Sequence, residues 1–486
     1  MKILMLSSEA APFAKTGGLA DAVSAMSAAL SARGHDVRVL LPLYARAAPQ
    51  GFSPLGTDLG VDSAGIREEA EVFQGRLPGS TTILYLLSRP DFYARASIYG
   101  DYKDYADNPR RFGFLCRSAF SLCRAAAWIP DVLHLHDWPA APAAAYLREI
   151  ERYRDFPRTA SVLTIHNLGF QGIYPEEAFP QLALPWEAYH GMGFEHYKRI
   201  NLLKAGIQNA DMVTTVSPTY AREIQTPAGG FGLDGILRER SRRLVGILNG
   251  IDMAEWNPAD DESLAAPYST WDLSGKAVCK AALQREFGLP ERPEVPLLAF
   301  ASRLSEQKGI RELFHPGAGS AAMICADMDV QFVAAGTGEP WCERELAELS
   351  ARLPNFKAKV GYEEAQAHRI KAGADFFLMP CRYEPCGLNQ MYSMRYGTLP
   401  IARRTGGLAD TVRNYNQDSG DGSGFMLDDL TPRSVYDTVG WAVWTYFNRR
   451  EHLEAMRLRA MSQDFSWDDP VREYESLYAQ ALAGRP

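Results

Sequence analysis

Residues 15–21 read Lys15-Thr16-Gly17-Gly18-Leu19-Ala20-Asp21, and the stretch from Thr16 returns letter for letter as Thr405-Gly406-Gly407-Leu408-Ala409-Asp410. A basic residue precedes each copy, Lys15 in the first and Arg404 in the second. Upstream of the first copy, residues 3–6 form an apolar run of strand length. Downstream, Leu19, Val23, Met26 and Leu30 recur at helical spacing, and Gly34 supplies a stop signal. Residues 37–41 are then a run that is apolar except at Arg38 and is closed by Pro42, read as a buried parallel strand. Strand, glycine loop, helix and strand in this order make a βαβ unit.

The same grammar continues outward. Residues 132–135, 162–165 and 212–216 read as strands, each followed by polar loop residues, and a further strand is expected near 245–252 on the way out of this half. A second series follows at 297–301, 330–335, 358–360, 376–379 and 399–402, with helical stretches between. Alternating β and α elements call for parallel sheets. The expectation is an α/β chain of two Rossmann-like doubly wound domains facing each other across a deep cleft. Each would aim a glycine-rich helix start inward, where free N–H groups and the positive helix dipole favour a phosphate or sugar. The plainer alternative is two ordinary helix starts that use glycine for backbone reasons.

Composition agrees with this architecture. The chain has 486 residues, too many for one core, with 46% apolar and 23% charged residues, as in folded soluble proteins. Its formal net charge of −8 lacks the footprint of a general nucleic-acid binder. No apolar run reaches membrane-spanning length, and the start 1–9 is too short for a signal-peptide core. The seven cysteines are odd in number and include no C-x-x-C pair, which points away from disulfides and zinc and toward a reducing cytoplasm.

Several loops carry chemistry. Ser302-Arg303-Leu304-Ser305-Glu306-Gln307-Lys308-Gly309 follows an apolar strand and sets two cations at its carboxyl end, where doubly wound sheets bind ligands. A planar guanidinium and a compact ammonium suit a diphosphate; a solvated surface loop is the bland reading. Arg382-Tyr383-Glu384-Pro385-Cys386-Gly387-Leu388 places a carboxylate beside a glycine helix start, able to hold a sugar hydroxyl and a phosphate together. Cys386 has no neighbouring base and reads as a small buried thiol. His134-Leu135-His136-Asp137-Trp138 puts two histidines on one strand face, half of a metal site at most, because no further ligands stand at a recognisable spacing. Asp137 and Trp138 fit a sugar better, and His166-Asn167 ends the next strand on the same rim. Residues 92–111 are dense in tyrosine and aspartate, suited either to an acceptor groove or to an ordered loop without ligand.

Taken together, these stretches resemble the bacterial glycogen synthase and plant starch synthase family, retaining glucosyltransferases with the GT-B fold. The motifs run in order from Lys15-Thr16-Gly17-Gly18-Leu19 through His136-Asp137-Trp138, Thr164-Ile165-His166-Asn167, Val216-Ser217-Pro218-Thr219-Tyr220-Ala221 and Leu248-Asn249-Gly250-Ile251-Asp252. They continue with Ser302-Arg303-Leu304, Gln307-Lys308-Gly309, Glu384-Pro385-Cys386-Gly387-Leu388, Arg404-Thr405-Gly406-Gly407-Leu408 and Asp464-Phe465-Ser466-Trp467. The resemblance implies that Lys15, Gly17 and Gly18 meet the sugar nucleotide and that Arg303 and Lys308 hold its diphosphate. It places Glu384 on the glucosyl hydroxyls, with Cys386, Gly387, Leu388, Thr405 and Gly406 near phosphate or sugar. His166 and Asn167 would lie by the transferred glucose, Asp137 by the acceptor, Tyr362 against the adenine and Asn249 at the cleft border. It further implies a division at 1–246 and 247–460, with 461–486 packing back on the first domain.

Two departures stand out. Position 392, eight residues after Glu384, is Tyr where broader relatives of the fold carry a second glutamate, which favours the glycogen and starch synthase branch. Residues 313–319 contain a proline and two glycines that interrupt a helix. The resulting expectation is glucose transfer from ADP-glucose to the non-reducing end of an α-1,4-glucan (glycogen), with retention and with neither metal nor cofactor. The rivals are a UDP-glucose-using relative, a pyridoxal-dependent glucan phosphorylase and a non-catalytic glycan binder.

Overall fold

The computed structural model describes residues 1–485 apart from 46–47, 57, 64–65, 101–102 and 362. The chain divides into two units, Met1–Gly250 with Trp467–Pro486, and Ile251–Ser466. The divisions fall a few residues beyond 246/247 and 460/461. Beyond the strand Leu244–Gly246, the Ile247 N–H donates to the Thr215 carbonyl oxygen at 2.8 Å and the Ile247 side chain joins the first unit's core, which carries the boundary past 247.

The first unit is built on a ten-stranded sheet. Across it, Leu244–Gly246, Met212–Thr215, Ala160–Ile165, Val132–His136, Lys2–Leu6, Asp36–Pro42 and Ile83–Ser88 run parallel. An antiparallel edge follows, formed by Ile66–Arg76 with Ser53–Pro54 and Leu59–Ser63. That edge was not expected. Its strands are largely polar and half exposed, so no continuous apolar run marks them. The inner strands Val132–His136 and Ala160–Ile165 are buried along their whole length, as helices on both faces require.

The helix Gly18–Ala32 buries Leu19, Val23, Met26 and Leu30. Gly34, at φ 89°, turns the chain out of it. The C-terminal helix Asp468–Ala483 joins the same core through Val471, Tyr474, Leu477 and Tyr478. Across its surface Glu475 accepts from Arg33 at 2.8 Å and pairs with His35 at the same distance.

The second unit has six parallel strands in the order Phe356–Val360, Gln331–Gly336, Leu297–Ala301, Phe376–Met379, Leu399–Arg403, Phe425–Leu427. In both units the chain starts in the middle of the sheet, winds to one side, then returns to the other. The reversal falls between Lys2–Leu6 and Val132–His136 in the first unit and between Leu297–Ala301 and Phe376–Met379 in the second. Such a switch point opens a crevice beyond the carboxyl ends of its two strands. The proline-and-glycine interruption separates the helix Ile310–Phe314 from Ser320–Asp327 and leaves Lys308 upstream of it.

Candidate active site

In the second unit the loops leaving the two switch-point strands carry Arg303, Lys308 and Glu384. Lys308 Nζ donates to Glu384 Oε2 at 2.5 Å, and the thiol of Cys381 donates to the same oxygen at 3.2 Å. Burial lowers the Lys308 pKa, but the adjoining carboxylate outweighs it and the net shift is upward, so the ammonium stays charged. Arg303 lies close enough for its charge to oppose that of Lys308. It is exposed and, among the described residues, makes no ion pair. A carboxylate already matched by one lysine, with a second cation unmatched beside it, leaves a net positive pocket suited to an anionic group.

Two glycines bring these loops together. Gly309 has φ 73°, and a Cβ there would stand 1.9 Å from the Pro380 carbonyl oxygen, so the turn after Lys308 fits against the second loop only without a side chain. Gly406 has φ 43°, and its Cβ would stand 1.9 Å from the Glu384 carbonyl oxygen. The Gly407 N–H donates to that same oxygen at 3.1 Å. The second copy of the repeat is therefore a support for the Glu384–Leu388 loop. Thr405, Cys386 and Glu384 are all buried there. Tyr392 stacks on Trp256 with ring centroids 3.7 Å apart, and His368 covers the other face of the indole at 3.9 Å.

The first copy of the repeat is handled differently. Glu9, missed by the sequence reading, is almost fully buried and occupies the helix start itself. Its Oε2 accepts from the Thr16 N–H at 2.6 Å and the Gly17 N–H at 3.3 Å; its Oε1 accepts from the Thr16 and Tyr99 hydroxyls, each at 2.6 Å. The expectation that both copies offer free N–H groups is thus corrected here: a carboxylate of the same chain already satisfies those of Thr16 and Gly17. Lys15 pairs with Asp21 at 2.9 Å. An acid shortly after the first strand was the only available signal for Glu9, since its partners lie up to 90 residues away.

Asp137 and His166 end neighbouring strands. Asp137 has φ 56°, a conformation unusual for a side-chain-bearing residue. Its Oδ1 accepts from the backbone N–H of His166 at 2.7 Å and of Asn167 at 3.4 Å. Burial pushes the Asp137 carboxyl up to about 7, although those two N–H groups pull it down. Asn167 Oδ1 accepts from the Gly169 N–H at 2.9 Å and shapes the following turn. His166 Nε2 meets His136 Nδ1 at 3.0 Å. His134 bonds Tyr478 at 2.8 Å and Thr164 at 2.6 Å, which makes it a core residue. No group of three or more His, Cys, Asp or Glu among the described residues is arranged to hold a metal ion.

Within the tyrosine-rich stretch, Tyr93 and Arg111 are buried core and Tyr99 reaches Glu9, so most of it is scaffold. Asn249 is buried at the end of the first unit. Tyr362 lies outside the described residues.

Comparison with known proteins accounts for this assembly. Residues 2–239 match the family model described as starch synthase catalytic domain, and residues 295–440 match glycosyl transferases group 1. The chain is 49% identical to the glycogen synthase of Treponema denticola over 99% of both chains, and 45% identical to glycogen synthase 1 of Geobacter sulfurreducens over 100% of this chain and 97% of that one. Among solved structures, the catalytic domain of starch synthase IV from Arabidopsis thaliana, bound to ADP and acarbose, superposes with a TM-score of 0.90 at 31% identity over 99% of each chain. Two doubly wound units, a lysine–glutamate pair with an unmatched arginine at one switch point, and this full-length similarity identify the chain as a GT-B glycosyltransferase of the glycogen synthase and starch synthase family.

Proposed function

We propose that the chain transfers glucose from ADP-glucose to the 4-hydroxyl at the non-reducing end of an α-1,4-glucan, glycogen being the acceptor, with retention of the anomeric configuration. The observation that carries this reading is the cluster of Arg303, Lys308 and Glu384 at the second unit's switch point. A departing nucleoside diphosphate gains negative charge as the anomeric bond breaks. Fixed cations in a partly dry site stabilise that charge more in the transition state than in the ground state. Arg303 offers a planar fork to the diphosphate, Lys308 a compact charge, and the Gly387-Leu388 backbone lies in the loop that Gly406 supports.

Glu384 Oε2 is taken by Lys308 and Cys381, which leaves Oε1 for glucosyl hydroxyls. In the first unit, Lys15 with Gly17 and Gly18 is assigned to the sugar nucleotide, His166 with Asn167 to the transferred glucose and Asp137 to the acceptor end. Tyr362 is assigned to the adenine ring and Asn249 to substrate binding. The ADP held by the structurally similar starch synthase supports adenine over uracil in the donor. The chain's seven free, buried thiols suit a reducing cytoplasm.

The test is incorporation of labelled glucose into glycogen from ADP-glucose against UDP-glucose, with and without a chelator. We expect faster transfer from ADP-glucose, no loss with chelator, and a product fully degraded by an α-1,4-specific hydrolase. Preference for UDP-glucose, or chelator inhibition reversed by magnesium, would overturn the reading.

A further inference from the structure

The strand Val132–His136 lies beside Ala160–Ile165, and His166 follows the end of the latter. His134 is satisfied at both ring nitrogens; His136 is not. Its Nδ1 meets His166 Nε2 at 3.0 Å, while its Nε2 is buried with no hydrogen-bond partner among the described residues. The ring is fully buried, 4.3 Å from the His134 ring. Among the described residues the His166 side chain has no hydrogen-bond partner but His136, so its Nδ1 is the polar atom left for a ligand.

Burial holds both imidazoles neutral, His166 lowered to about 3 and His136 well below its ordinary value. The adjoining carboxylate of Asp137 bonds the His166 backbone and neither ring, and Glu9 is committed to Thr16, Gly17 and Tyr99. Among the described residues no anion is bonded to either ring to stabilise an imidazolium. One proton therefore sits between the two nitrogens, in one of two ways. If it belongs to His166 Nε2, then His136 must carry its own proton on Nε2, as a buried donor without acceptor. If it belongs to His136 Nδ1, the orphan Nε2 is only an unused lone pair, and His166 takes the Nδ1–H tautomer. Orphaned buried N–H groups are the rarer and costlier outcome.

We infer that His136 is a positioning residue that fixes His166 as a neutral Nδ1–H donor, aimed at an acceptor oxygen of the bound glucosyl group. The tautomer follows from the first unit alone; its use toward sugar rests on the function proposed above.

The test is 15N NMR of the full chain with labelled histidine, His166 being assigned by its loss in His166→Gln. The expected result is a protonated Nδ1 and a bare Nε2 on His166 throughout the neutral pH range. His136→Asn, whose amide N–H can stand in for the Nδ1 donor, should preserve that signature and keep turnover within about threefold. His136→Leu should mix the tautomers and lower kcat about tenfold with little change in the KM for glucan, the size of one lost hydrogen bond. Wild-type His166 protonated at Nε2 overturns the inference even if the leucine variant does not fold. So does a folded leucine variant as active as the asparagine one. Full activity of His166→Ala would instead remove the sugar-facing half, leaving the tautomer assignment and the proposed transfer reaction standing, whereas absence of glucosyl transfer by the wild-type chain would remove the functional reading alone.

Discussion

Lys308→Met is the perturbation whose consequences the structure specifies most fully. The Lys308 and Glu384 side chains are 15% and 8% exposed, so removing the ammonium strands a carboxylate in a site with little water, held among the described residues only by the Cys381 thiol. Breaking a buried pair from one side costs about 3–5 kcal/mol, against about 0–1 kcal/mol for a surface pair. With partial exposure, about 3 kcal/mol is expected. For a unit of this size each kcal/mol moves the midpoint by about 2–4 °C, so the second unit should melt about 6–12 °C lower.

Glu384→Gln on the Lys308→Met background removes the stranded charge and should recover most of that stability without recovering activity. Calorimetry and urea unfolding of the two single variants and the double variant measure the coupling, and labelled-glucose transfer reports function. A loss below about 1 kcal/mol for Lys308→Met, or no recovery in the double variant, would refute the claim that the pair is buried and mutually dependent.

Three further outcomes follow from the same geometry. Arg303→Ala should lower turnover about 10²–10³-fold, as loss of a transition-state donor does, while unfolding changes by no more than about 0.5 kcal/mol because the side chain is exposed; steady-state kinetics beside urea melts will show it. Gly309→Ala, which sets a Cβ 1.9 Å from a carbonyl oxygen at positive φ, should destabilise by more than about 1 kcal/mol, whereas Gly17→Ala, in extended backbone with open space around it, should be nearly neutral to unfolding. Asp137 is raised from an unfolded value of about 3.9 to about 7, so the folded state holds its proton more tightly. Its contribution is fully present below about pH 4 and lost as pH rises through 7; Asp137→Asn, which mimics the protonated acid, should flatten that part of the stability profile measured from pH 4 to 8.

Much of the scaffold was legible because burial on both faces writes itself as an unbroken apolar run. The strands at 3–6, 297–301 and 376–379 were readable for that reason, and those at 132–135 and 162–165 from runs broken only by His134 and Thr164. The antiparallel edge at 53–76 was not, since a half-exposed edge strand has no such run. Of the candidate site, Arg303, Lys308 and Glu384 could be named from their places after strands. That Lys308 and Glu384 share a proton-bearing contact could not, because 76 residues separate them. The identical repeat was the least faithful guide: one copy is closed by Glu9, while the other packs on the Glu384 carbonyl.

The amino-acid order alone determined two doubly wound sheets and the loops that bear cations and carboxylates, because periodicity and strand-end position are local properties of a chain. Which N–H, carboxylate and imidazole meet was decided only on folding. The partners of Glu9, His136, Lys308 and Gly406 come from distant segments, and hydrogen bonds of about 3 Å depend on packing that no local pattern encodes.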